Sequence, residues 1–100
     1  MVRPKKCRMV DAEPDADYFK PRGVMLHELE EVELSVEELE AIRLKDYKRL
    51  DQMKVAKKMG ISQPSLHRLL SSARHKVAEA LVDGKAIKIH GGSYSVRRTR

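Results

Sequence analysis

A chain of 100 residues, 41% of them apolar, supplies one small domain with a modest core that a partner subunit would extend. The lone Cys7 excludes an intrachain disulfide, and no apolar run has the length of a signal peptide or the ~20 residues needed to cross a bilayer, so a soluble, cytoplasmic protein without a membrane partner is expected. Net charge is +6 and unevenly spread: residues 23–51 hold nine acids against four bases, whereas residues 52–100 hold eleven bases against two acids, a change from −5 to +9. Lys and Arg beside a duplex gain by counterion release, so the basic half suits DNA; a plain solvated basic surface is the bland alternative.

In chain order, residues 1–22 read as a basic N-terminal strand or arm followed by a loop. Lys6 to Val10 alternates as a short strand would, and a basic arm on DNA is the second reading. Asp11 to Arg22 carries Pro14 and Pro21 as breakers, with Tyr18 and Phe19 as its apolar anchor. Residues 23–90 form the helical domain. Met25, Leu26, Leu29 and Val32 predict a short helix with Glu28, Glu30 and Glu31 solvated outside it. Ser35 and Glu38 then outline a capping box, opening a helix from Val36 to about Asp46 that buries Val36, Leu39, Ile42 and Leu44, with Tyr47 and Leu50 closing the corner after it.

The stretch 52–71 predicts helix, tight turn and helix. Val55, Ala56 and Met59 share one helical face, Gly60 supplies the positive φ that ends a helix, and Ile61, Leu66 and Leu69 resume the apolar pattern. Asp51 caps the first helix and Ser62 the second, whose first turn accommodates Pro64. In a helix-turn-helix the outward residues at the start of the second helix meet base edges in the major groove. Here these are Ser62, Gln63, Pro64, Ser65, His67, Arg68 and Ser71, with Lys57, Lys58 and Lys54 able to reach phosphate. Gln pairs with adenine and Arg with guanine in bidentate fashion, and Ser serves base or phosphate. A helical hairpin with a polar solvated face is the competing explanation. Leu66, Leu69, Leu70, Ala73, Val77, Ala80 and Leu81 carry the apolar stripe to Val82, and Arg74, His75 and Lys76 extend the basic surface alongside. Gly84 is the C-cap, residues 85–89 are a short strand that pairs with Lys6 to Val10, and residues 91–100 are a flexible basic tail after the Gly91-Gly92 turn.

The segments RPKKCRMV, YFKPRGVML, ELEEVELSVEELEAIRLKD, AxxMGISQPSLHRLLSSARHKVAEALVDGKAIKI and the closing GGSY resemble the UPF0251 (DUF134) family of predicted DNA-binding proteins over nearly the whole chain. The helical centre is also similar to region 4 of sigma-70-type factors. That resemblance implies a groove-facing set of Gln63, Pro64, His67 and Arg68, with Lys57 and Lys58 as phosphate partners.

Catalysis finds little support: no glycine-rich phosphate loop and no catalytic spacing stand out, and no cofactor is implied. Cys7, His27, His67, His75 and His90 lack zinc-ligand spacing, so no metal is expected, although Lys6 and Arg8 would favour a reactive Cys7 thiolate. The expectation is a mainly α, sigma region 4-like helix-turn-helix domain with a two-stranded β pair from the chain ends, acting as a homodimeric, sequence-specific regulator on double-stranded DNA. A sigma-like interaction module that binds RNA polymerase or another factor through the acidic helix 36–46 is the rival, and RNA binding is weaker because no aromatic stacking platform stands out.

Overall fold

The computed structural model describes residues 7–96, in which three consecutive α-helices are flanked by short strands on either side. The strands are β1 (Arg8–Val10), β2 (Tyr18–Phe19), β3 (Glu31–Leu34), β4 (Ala86–Ile89) and β5 (Tyr94–Val96), and the helices are α1 (Val36–Ile42), α2 (Gln52–Met59) and α3 (Gln63–Asp83).

Helix ends follow local chemistry. Before α1 the Ser35 hydroxyl accepts from the Glu38 N–H at 3.2 Å while the Glu38 carboxylate accepts from the Ser35 N–H at 2.8 Å, completing the capping box. Asp51 accepts from the Lys54 N–H at 2.9 Å and starts α2, and Ser62 does the same for α3 through the Ser65 N–H at 3.2 Å. Gly60 and Gly84, both at φ 67°, end α2 and α3 in the left-handed region. The helix expected to reach Asp46 ends at Ile42 instead. It continues as a π-type turn, Arg43–Tyr47, whose wider winding leaves Tyr47 exposed rather than in the corner; Leu50 fills that place, its N–H on the Leu44 carbonyl at 3.1 Å.

Two cores share α3. Ala41, Leu44, Val55, Ala56, Met59, Leu66 and Leu70 join α1, the π-turn and α2 to its beginning. Val10, Leu34, Val36, Ala73 and Ile89 join the strands to its middle. Beyond Ala80 the helix projects Leu81 and Val82 into solvent, although the apolar stripe predicts Leu81 inside.

The strands pair differently from the expectation. β4 lies between β2, antiparallel to it, and β3, parallel to it, so residues 86–89 do not pair with β1. β1 instead runs parallel to β5, Arg8 beside Tyr94 and Val10 beside Val96, which makes residues 94–96 a strand and not a tail. Parallel neighbours need long crossovers, here all three helices between β3 and β4, and such pairing leaves no local signal in the sequence. Residues 24–32 likewise form one 3-10 turn, Leu26–Glu28, and then β3, because Val32 and Leu34 bury on one face while Glu31 and Glu33 point out. Met25, Leu26 and Phe19 are exposed, so the expected apolar anchor is not in the core. Lys6 of the expected first strand, the arm before it and Arg97–Arg100 of the expected tail lie outside the described residues. The turn into β5 requires glycine: at Gly92, φ 96°, a Cβ would sit 1.9 Å from Glu37 Oε1.

The acids of α1 do not form a solvated face. Glu37, Glu38 and Glu40 are buried, and each ties two parts of the chain together. Glu37 Oε2 accepts from Arg8 Nη1 at 3.4 Å and from the Ser93 N–H at 3.2 Å. Glu38 accepts from Ser72 Oγ at 2.6 Å and Lys76 Nζ at 2.8 Å. Glu40 accepts from Arg43 Nε at 2.7 Å and the Asp11 N–H at 2.8 Å, and Arg43 also pairs with Asp11. Burial pushes the Glu38 carboxyl up, but the bonds from Lys76, Ser72 and the Ser35 N–H outweigh it and hold the group below its ordinary value.

Candidate nucleic-acid interface

The corner between α2 and α3 is built from five consecutive choices. Gly60 bends back so that its N–H reaches the carbonyls of Ala56 and Lys57, Ile61 donates its N–H to Ala56 at 3.0 Å and packs on the first core, and Ser62 opens α3. Gln63 and Pro64 follow in the first turn, where proline costs no helical hydrogen bond. Leu66 and Leu70 are buried, which fixes the rotation of the helix about its axis. Ser62, Gln63, Pro64, His67, Arg68 and Ser71 consequently stand exposed, with Ser65 half-buried among them. The structure therefore gathers the predicted groove-facing residues on the surface of one helix end.

Within this face the polar groups are pre-ordered. Ser62 Oγ donates to Ser65 Oγ at 2.9 Å, and Arg68 Nη2 donates to the same Ser65 Oγ at 3.3 Å. The Arg68 guanidinium is thus drawn toward the start of α3, with donors remaining for a base or phosphate. Lys57, exposed on α2, lines an open hollow of about 500 Å³ with Arg8, Gly60, Ile61, Ser62 and Ser65. Lys58 is half-buried on the same helix. A second hollow of about 200 Å³ is lined by Arg8, Glu38, Ser65, Arg68, Leu69 and Ser72.

Arg8 belongs to both hollows, although it is not among the site residues that the sequence predicts. Its only signal in the sequence is the basic composition of the N-terminal segment. Parallel pairing of β1 with β5 sets Arg8 beside the corner, where Nη1 meets Glu37 while Arg8 Nε and Glu37 Oε1 are buried with no hydrogen-bond partner among the described residues. Arg74, by contrast, is already engaged: its Nε and Nη2 fork onto Asp46 at 3.1 and 2.6 Å, which lowers the Asp46 pKa and raises that of Arg74. Lys76 is held by Glu38. Arg74 and Lys76 of the expected basic stretch are therefore tied into ion pairs, whereas Lys57 and Arg68 stand exposed beside the corner.

Among the described residues no three His, Cys, Asp or Glu side chains converge as a metal site. His27, His75 and His90 each lie beside one glutamate, His67 is exposed on α3, and Cys7 is exposed. No described helix is long and apolar enough to cross a membrane.

These features define a mainly helical domain with two small sheets and a polar, basic corner raised on its longest helix. A family model described as "Protein of unknown function DUF134" matches residues 1–97. UPF0251 proteins are similar over the same length: one from Thermoanaerobacter pseudethanolicus is 55% identical over 96 residues, covering 96% of this chain and 81% of the relative. One from Desulforudis audaxviator is 54% identical over 102 residues, covering 100% of this chain and 67% of the relative, and one from Moorella thermoacetica is 58% identical over 94 residues, covering 94% and 63%. The chain belongs to the UPF0251 (DUF134) family. No solved structure matches it.

Proposed function

We propose that the chain is a sequence-specific double-stranded DNA-binding protein, a transcriptional regulator that works through a helix-turn-helix of the sigma region 4 kind. The observation that carries the reading is the start of α3: Ser62, Gln63, His67, Arg68 and Ser71 are exposed on one helix end, directly after a sharp left-handed corner and opposite buried Leu66 and Leu70. A helix presented in this way fits the major groove by its N-terminal half, with Gln63 and Arg68 as the base readers and Lys57 and Arg8 beside the phosphates. Two copies related by a two-fold axis would read half-sites about 34 Å apart. The rival reading, a polymerase-binding or other adaptor module acting through the acidic helix, loses its main support because Glu37, Glu38 and Glu40 face inward.

Selection of random duplex DNA on the purified protein tests the proposal, repeated with Gln63→Ala and Arg68→Ala and titrated with salt. An enriched, roughly palindromic motif whose preference relaxes by ~1–3 kcal/mol at one position in each variant is the expected result. Salt-sensitive binding without any enriched motif would overturn specific readout and leave general electrostatic attraction.

A further inference from the structure

The end of the molecule remote from the corner carries the opposite kind of surface. Leu81 and Val82, in the last turn of α3, are 77% and 82% exposed, Phe19 on the edge strand β2 is 54% exposed, and Met25 and Leu26 are 61% and 66% exposed. Phe19 and Leu81 line one hollow of about 230 Å³ together with Pro21, Ala80, Gly84 and Ile87. The segment holding Met25 and Leu26 is pinned here at both ends: Phe19 pairs with Ile87, and the Glu30 carbonyl accepts from the Ala86 N–H at 2.9 Å. Apolar side chains left in water at a helix end add nothing to the fold of a single chain, and a concentration of them marks an interaction surface.

We infer that this surface is where a second copy of the chain docks, across a two-fold axis at the C-terminal ends of two α3 helices. The inference deepens the paired reading proposed above and does not depend on DNA. Area is the first argument. Full burial of an aliphatic side chain removes about 60–120 Å² of apolar surface and that of a phenyl ring about 150–250 Å², so the exposed fractions here amount to about 300–450 Å². A stable interface removes about 800 Å² per partner, a little over half of it apolar, so these side chains supply most of that apolar share. Charge is the second argument. A two-fold interface must be complementary to itself, so a surface of one sign would repel its own copy. Around this patch the signs alternate: Lys85 lies 2.7 Å from Glu79 and 3.4 Å from Glu30, with Lys20 and Asp83 nearby in sequence.

Helix length adds a geometric consequence. The 21 residues of α3 span about 31 Å, so two such helices joined at their C-terminal ends place their first turns about 34 Å apart when they enclose an angle of about 70°.

Sedimentation velocity on the full chain without DNA, from 1 to 100 µM, tests the inference, with Leu81→Glu and Phe19→Asp as variants and circular dichroism as the check that each remains folded. The expected result is a dimer for the wild type and a shift of at least 50-fold in its dissociation constant for each variant, with helical content unchanged. A wild type that is monomeric at 100 µM overturns the inference, and so does a dimer that both folded variants leave intact, which would place the interface elsewhere. Should Leu81→Glu lose helical content, Val82→Asp replaces it under the same criterion. A monomer that floats with phosphatidylglycerol vesicles would likewise overturn it, assigning the patch to a lipid surface. Because the assay holds no DNA, failure of base readout leaves this result standing, and failure here leaves the selected motif standing.

Discussion

The two halves of α3 are one continuous helix with opposite designs. Its first half buries Leu66 and Leu70 and turns Gln63, His67, Arg68 and Ser71 to solvent, so that the outside is polar and the inside apolar. Its last turn buries Ala80 and leaves Leu81 and Val82 outside. The first half is finished by its own chain, packed against α1 and α2; the last turn has only the small sheet beside it, and its apolar residues Leu81 and Val82 stay in water. One helix thus carries both a polar, basic face and an exposed apolar one, kept apart by its own length.

The comparison breaks most visibly under truncation. Leu66→Ala removes a fully buried side chain at the centre of the first core and should cost about 2–5 kcal/mol in urea unfolding at neutral pH. A loss under 1 kcal/mol would mean that the corner is loosely packed.

Next in size is the tie that fixes the middle of α3 to α1. Glu38→Ala removes the capping box and the partner of Lys76 and Ser72 together, with an expected loss of about 2–3 kcal/mol. Since the Glu38 pKa is depressed in the folded chain, its contribution is complete above the ordinary carboxylate pKa and is lost as pH falls through the lower, folded value. Urea midpoints measured from pH 7 down to pH 2 should therefore fall more steeply below about pH 4.5 for the wild type than for Glu38→Gln. Parallel pH profiles would remove Glu38 from the account.

DNA binding sharpens the contrast between arginines on the same helix. Arg68→Ala should lose about 1–3 kcal/mol of discrimination at one base pair, whereas Arg74→Ala, whose guanidinium is occupied by Asp46, should change discrimination by less than about 0.5 kcal/mol. Equal losses in competition binding would show that the readout extends a further turn along α3.

The smallest effect belongs to the far end. Leu81→Ala should leave the stability of the monomer within about 0.5 kcal/mol, read by urea unfolding at 1 µM, because the side chain is already in water. A cost comparable with that of Leu66→Ala would place Leu81 in a core after all.

The chain's own local chemistry determined the caps and the corner. Ser35 with Glu38, Asp51, Gly60, Ser62, Pro64 and Gly84 act within a turn of themselves, so their residue types alone set where α1, α2 and α3 begin and where α2 and α3 end. The exposed set from Ser62 to Ser71 followed from the same periodicity that buried Leu66 and Leu70. Tertiary structure decided the rest. Val32 and Leu34 became β3 because Ile87 and Ile89, more than fifty positions away, lie beside them. Glu37, Glu38 and Glu40 read in the sequence as part of an acidic helix open to a partner, yet Arg8, Lys76 and Arg43 converge on them once the chain has closed. Leu81 and Phe19 look like core, but α1, α2 and the strands fill the interior before reaching them. Periodicity reports which residues share a face. Which faces find cover depends on contacts between segments far apart in the chain, and those contacts form only through the closure of long loops.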